Sequence, residues 1–104
     1  MRRQWLCRIV PTRPGMVTAP TADEEALVGA HLRYLTELRD RGVLILAGRT
    51  QDDNPFGIVI FESDEERDAR QIVAGDPAVA AGVFAMTLHP YAVAVAREPL
   101  TPPS

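Results

Sequence analysis

The order of strand and helix patterns is the feature that most limits what this chain can fold into. In chain order, the patterns predict a strand over 4–10, a helix over 23–41, strands over 43–47 and 56–61, a helix over 66–75 and a strand over 84–96. This order is typical of the α+β class. It predicts the ferredoxin-like βαββαβ arrangement, in which one antiparallel four-stranded sheet carries two helices on one face.

Local signals mark the helix ends. Thr21 and Glu24 have the spacing of a capping box, and Gly42 follows the last periodic residue of the first helix. Ser63 and Glu66 repeat the capping-box spacing, which predicts the start of the second helix. The sequence thus predicts both helices from their termini as well as from their periodicity.

Proline positions shape the C-terminal half. Asp76 precedes Pro77, a residue suited to the first helical position, which predicts a further short turn capped by Asp76. Pro90 interrupts the last strand pattern and predicts a bend or break there. The proline-rich segment 99–104 is predicted to be a disordered tail, which leaves 1–98 as a single domain.

The hairpin strands are apolar at successive positions, in 43–46 and again in 58–61. Strands of this kind need cover on both faces, whereas two helices on one face shield only that face. A second copy packed sheet to sheet would cover the other face. The sequence therefore predicts a homodimer.

The overall composition excludes several classes of function. The 104 residues carry 46% hydrophobic and 24% charged residues, which is typical of one folded domain. The net charge is −3 without a basic run, so nucleic acid is not an expected partner. The first apolar run is interrupted at Arg8 and ends at Pro11, which is too short for a membrane span. The lone Cys7 suits a reducing compartment, and we expect a cytoplasmic protein.

His31 occupies a position where the first helix calls for an apolar side chain. It lies four residues from both Leu27 and Leu35 on the apolar stripe, so the ring is directed inward. A buried imidazole needs partners for its nitrogens, and its ordinary pKa lies near neutrality. Periodicity leaves two interpretations open, a core histidine bonded to backbone and a catalytic base.

Three segments taken together resemble the YCII-related (YciI-like) proteins. They are 9–14, 31–35 leading to Gly42 and Ala47-Gly48, and 76–84, in the family's order over most of the chain. The resemblance implies a ferredoxin-like fold that forms a dimeric α/β barrel. It also implies an activity like those of the related superfamily, which includes small isomerases, dehydrochlorinases and oxygenases that act on aromatic or enol-type substrates without a bound cofactor. By position, the family's active-site pair falls on His31 and Asp76.

A carboxylate bonded to one ring nitrogen would fix the histidine tautomer and leave the other nitrogen to take a proton. On this hypothesis, His31 is the general acid or base and Asp76 orients it, in a cofactor-independent proton transfer on an unknown small molecule. The alternative is a non-catalytic ligand-binding or accessory dimeric domain, and a third option is a purely structural dimerisation module. An apolar pocket beside a bonded His31–Asp76 pair would favour the enzyme, whereas a filled core would favour the alternative.

Three arginines are candidate contacts for a substrate anion. Arg8 alternates against the apolar face of the first strand, and Arg13 lies in the loop that follows. Arg49 stands where many family members have proline after Ala-Gly. His89 on the last strand is better explained as an edge or interface residue than as a second site histidine. The acidic turn 52–54 lacks the ligand series of a calcium loop, so no metal is predicted.

Overall fold

The structure is a computed structural model, and it describes residues 3–97. The strands are β1 (Arg3–Pro11), β2 (Leu44–Arg49), β3 (Gly57–Ser63) and β4 (Phe84–Tyr91). The α-helices are α1 (Ala22–Asp40), α2 (Glu66–Ala74) and the single turn α3 (Pro77–Ala80), and a 3-10 turn spans Pro14–Met16. The predicted order of elements is confirmed.

The four strands form one antiparallel sheet in the order β2-β3-β1-β4. Trp5 on β1 pairs with Phe61 on β3, and Cys7 pairs with Val59, so these side chains share one face of the sheet. All four are buried, and they form the core together with Leu35 and Leu38 of α1 and Ala69 and Val73 of α2. The fold is the predicted ferredoxin-like arrangement, with its helices on this one face.

Helix α1 begins and ends as the sequence signals predict. The Thr21 hydroxyl accepts a hydrogen bond from Glu24 N, and the Glu24 carboxylate accepts one from Thr21 N, which completes the capping box. The chain leaves the helix through Gly42, which has a φ of 74° that favours glycine. These firm ends fix where the apolar stripe of α1 meets the sheet.

Two local predictions are wrong. The Ser63–Glu66 capping box does not form, because Ser63 is the last residue of β3 and Glu65 is the N-cap of α2, with no side-chain hydrogen bond to the helix. The last strand ends at Tyr91 instead of reaching residue 96, and it continues through Pro90, which pairs with Trp5. Proline is tolerated there because β4 is an edge strand of the sheet. The predicted disordered tail, 99–104, lies outside the described residues.

The other face of the sheet also carries apolar side chains. Leu6, Ile60 and Leu46 lie in register across β1, β3 and β2 on the side opposite the helices. Leu46 is 41% exposed, although it occupies a strand position beside apolar neighbours. Within residues 3–97, no helix of the chain covers this face.

Candidate functional site

His31 and Asp76 form a buried hydrogen bond between elements far apart in the chain. The Nδ1 atom of His31 on α1 donates to Oδ2 of Asp76, which immediately precedes α3. The two residues are only 6% and 5% exposed. Because a carboxylate accepts hydrogen bonds, this contact places the ring proton on Nδ1.

The Asp76 carboxylate has a second partner that fixes its position. Its Oδ1 atom accepts a hydrogen bond of 2.9 Å from Ala78 N, so Asp76 is the N-cap of α3 as predicted. Pro77 starts that turn without an N–H of its own to satisfy. The Asp-Pro pair thus holds one carboxylate oxygen on the backbone and directs the other to His31.

The His31 ring also borders a large cavity. Its volume is about 520 Å³, and it lies between α1, the segment after β1 and the ends of β2 and β3. Phe84 forms part of its wall and packs edge-on against the His31 ring, with 5.1 Å between ring centroids. Since Nδ1 is bonded to Asp76, Nε2 is the ring nitrogen that can meet a molecule in the cavity.

The chain matches the model of the YCII-related domain over residues 5–88. The chain belongs to this family. No curated protein matches the chain. The family resemblance seen in the sequence is therefore confirmed.

Two solved structures are similar to this YCII-related domain. One is the 5-chloro-2-hydroxyhydroquinone dehydrochlorinase TftG of Burkholderia phenoliruptrix, in complex with 2,5-dihydroxybenzoquinone. It has a TM-score of 0.63 and 23% identity, over 85% of this chain and 93% of that chain. The other is an uncharacterized protein of Thermotoga maritima, with a TM-score of 0.51 and 9% identity, over 86% and 98%. At these identities the likeness shows the fold alone.

The three predicted anion contacts lie in different surroundings. Arg49, at the end of β2, lines the cavity with His31. Arg13 donates to both oxygens of Glu24, at 2.6 and 2.9 Å, and to Ala19 O, so its guanidinium is already engaged. Arg8 lies on the opposite face of the sheet, where it stacks 4.6 Å from the centre of the Phe56 ring. Of the three arginines, Arg49 lines the cavity with His31, whereas Arg8 contacts the cavity residue Phe56 from the opposite face and Arg13 is bonded to Glu24.

His89 lies on the face of the sheet opposite the His31 site. It is exposed on the sheet face opposite the helices, and its Nε2 atom is 3.0 Å from the Thr87 hydroxyl. The two histidines of the chain are therefore separated by the sheet. This arrangement makes His89 a useful reference residue for experiments on His31.

Glu25 is a cavity residue that the sequence argument missed. It lines the cavity from the first turns of α1, as do Val28, Leu32 and Leu35 further along the helix. These positions recur three and four residues apart, so a second helix stripe was visible in the sequence. That stripe carries one acid, Glu25, among apolar residues.

Two further ionisable groups, Cys7 and Tyr34, line a small void of about 20 Å³ in the core. Burial, followed by the charge of Asp76, raises the pKa of the Cys7 thiol to about 11. Burial is also the largest cause of a raised pKa at Tyr34, whose hydroxyl donates a 2.6 Å hydrogen bond to Ile72 O. Cys7 is thus protonated at neutral pH and packs as a small core residue.

In residues 3–97, no three His, Cys, Asp or Glu side chains are grouped so that they could hold a metal ion. No helix in the same part of the chain is both long and apolar enough to cross a membrane.

Proposed function

We propose that this YCII-related domain is a cofactor-independent enzyme that transfers a proton on a small carbonyl, enol or phenolic compound. The observation that carries the proposal is the buried His31–Asp76 hydrogen bond beside a cavity of about 520 Å³. Cavities of this size with apolar walls and a few polar groups are typical sites for small molecules. The reaction class is an isomerisation or an elimination of the lyase or dehydrochlorinase type.

Asp76 prepares His31 to act as a base in this mechanism. With the proton held on Nδ1 by Asp76, the lone pair of Nε2 is free to take a proton from a substrate C–H or O–H group. The carboxylate then stabilises the imidazolium that forms. A positioned base of this kind contributes about 10²- to 10⁴-fold in rate.

The electron pair left on the substrate has two possible outcomes. If the His31 imidazolium returns its proton to a different carbon, the product is an isomer. If the electron pair instead expels a leaving group such as chloride, the product is an unsaturated compound, and His31 later releases its proton to water. Both outcomes balance without a redox partner.

Arg49 is the arginine that this mechanism uses. It lines the cavity, and a guanidinium stabilises the oxyanion that develops when a proton leaves a carbon next to a carbonyl. TftG, which has the same fold, is a dehydrochlorinase seen with a hydroxylated quinone. We take hydroxylated quinones and phenols as the first compounds to test.

The test is hydrogen exchange catalysed by the purified full-length protein. We would incubate 2,5-dihydroxybenzoquinone, simple phenols and 1,3-dicarbonyl compounds in D₂O and follow loss of the C–H signals by NMR. The wild type should accelerate exchange of at least one compound. His31→Asn should lose about 10²- to 10⁴-fold of that rate.

His89→Asn is the matched control, because it removes the other histidine from the far side of the sheet. It should keep the wild-type rate, and sedimentation checks that it keeps the oligomeric state, because His89 lies on the same sheet face as Leu6. Full exchange in His31→Asn would remove His31 from the mechanism. Binding of these compounds without any accelerated exchange would instead favour a non-catalytic ligand-binding or accessory domain.

We also propose that the exposed sheet face packs against a second copy of the chain. The face carries Leu6, Leu46 and Ile60 in register, and Tyr91 at its edge is 42% exposed. Two sheets that pack face to face bury such residues from both sides. Sedimentation at micromolar concentration should give a homodimer, and a clean monomer would contradict the proposal.

A further inference from the structure

Three ionisable side chains line the cavity, namely Glu25, His31 and Arg49. Every other residue that lines the cavity is apolar or glycine. Polar groups are few in such a site, so each one restricts which molecule fits. His31 and Arg49 already have roles in the proposed reaction, and Glu25 does not.

The carboxylate of the neighbouring acid, Glu24, is already hydrogen-bonded within the chain. Its oxygens accept hydrogen bonds from the Arg13 side chain and from Thr21 N. Glu25 and Arg49 make no ion pair with any residue in the 3–97 part of the chain. Both side chains are thus free to contact a molecule in the cavity.

Glu25 and His31 both line the cavity from α1, at positions six residues apart. Six residues of α-helix rise about 9 Å, at about 1.5 Å per residue. This rise exceeds one helical turn of about 5.4 Å, so the cavity extends along α1 far enough for a single substituted ring. Phe56 and Phe84 supply aromatic walls for a planar molecule.

We propose that Glu25 is a specificity-determining residue that accepts a hydrogen bond from a hydroxyl group of the substrate, opposite an ionised oxygen bound by Arg49. The favoured ligand class is therefore a hydroxylated aromatic or enol compound that carries one anionic group. This inference rests on the proposed function for the position of the reacting carbon near His31. The binding preference itself needs no turnover.

A carboxylate discriminates between a hydroxyl and a group that cannot donate. A hydroxyl group of the ligand can donate a hydrogen bond to the Glu25 carboxylate. A methoxy group of similar length has no proton to donate, so the carboxylate gains no hydrogen bond from that ligand. Hydrogen bonds to charged groups are worth about 10- to 100-fold in affinity. Because Glu25 is exposed to water, we expect the low end of this range, about tenfold.

The experiment uses two probes, 4-hydroxybenzoate and 4-methoxybenzoate, which share the ring and the anion. Their dissociation constants are measured by calorimetry on the full-length protein. The wild type should bind 4-hydroxybenzoate about tenfold more tightly. Glu25→Ala should bring the two affinities together, and Arg49→Gln should weaken both while keeping their ratio.

Asp23→Ala is the matched control for charge. It removes an acid from the same turn of α1 that does not line the cavity, so the tenfold ratio should persist. Equal wild-type affinities, failure of both probes to bind, or an unchanged ratio in Glu25→Ala would each overturn the proposal. A ratio that depends on Glu25 in a protein without hydrogen-exchange activity would support the binding site and reject the proposed reaction.

Discussion

The layer between α1 and the sheet is tightly filled at one end and open at the other. At the closed end, the remaining void is only about 20 Å³ and is lined by residues that include Cys7, Leu38 and Phe61. At the open end, the cavity holds about 520 Å³. Ile9, Leu35 and Val59 line both, so the same helix and strands pass from solid core into cavity.

The size of the side chains explains this difference. Trp5, Leu38 and Phe61 are almost fully buried at the closed end, where α2 and α3 add further apolar side chains. At the open end, the strands offer Ala47, Gly48 and Gly57 instead. A single layer can therefore be solid core at one end and border a cavity at the other.

His31 and Asp76 lie at the boundary between these two ends. Asp76 lines the small void, and His31 lines the cavity. The carboxylate is thus held among core residues while the ring that it orients reaches the open space. This arrangement predicts that mutations at the closed end change stability and those at the open end change ligand binding.

Two leucines on α1 test this division directly. Leu38→Ala should lower the free energy of unfolding by about 2–5 kcal/mol, because Leu38 is 1% exposed and its removal leaves a cavity. Leu32→Ala should cost about 0.5 kcal/mol or less, because Leu32 is 58% exposed at the cavity.

Urea unfolding at one fixed protein concentration measures both variants. Each makes the same change in the same helix, so helix propensity cancels in the comparison. Similar losses from the two variants would contradict the division between a closed and an open end.

The boundary pair gives the next largest effect. Asp76→Ala removes the partner of both His31 Nδ1 and Ala78 N, and should cost about 1–3 kcal/mol. Asp76→Asn keeps an oxygen for Ala78 N and should cost less, since both residues are good N-caps. Its amide N–H would donate to His31 Nδ1, however, and so move the ring proton to Nε2.

Nitrogen NMR of the imidazole ring reads this change of tautomer. The wild type should carry the proton on Nδ1, and Asp76→Asn should carry it on Nε2 with little loss of stability. Such a variant should also lose hydrogen-exchange activity, because Nε2 no longer accepts a proton. An unchanged tautomer would show that Asp76 does not set the protonation of His31.

Much of the fold could be predicted because its signals are local. The capping box of Thr21 and Glu24 fixed the start of α1, and the stripe spacing indicated that His31 is buried. The Asp-Pro pair predicted the cap of α3 in the same way. Each of these features depends on residues within one or two turns of each other.

The remaining features depend on contacts between residues that are distant in the sequence, and the spacing of residues along the chain does not predict such contacts. His31 and Asp76 are 45 residues apart, so their pairing came from family resemblance and their contact from the structure. The Ser63 prediction failed because strand pairing with Arg3 kept that residue in β3. Glu25 was missed because only the structure shows that its side of α1 borders a cavity.

The smallest expected effect concerns the segment 12–20, in which Met16, Val17 and Pro20 form one wall of the cavity. Hydrogen bonds from Arg13, followed by the one from Thr21 N, lower the pKa of Glu24 from 4.5 to about 2. Since the folded state lowers this pKa, the resulting stabilisation is complete above about pH 4.5 and is lost as the pH falls through about 2.

Arg13→Gln should therefore reduce the change in the free energy of unfolding between pH 4.5 and pH 2. The difference between this variant and the wild type should become smaller in high salt. Arg33→Gln on α1 is the control, since Arg33 takes no part in the contact with Glu24. The effect is small because water reaches this ion pair. If Arg13→Gln leaves both the pH profile and the affinity for 4-hydroxybenzoate unchanged, the open end keeps its shape without this ion pair.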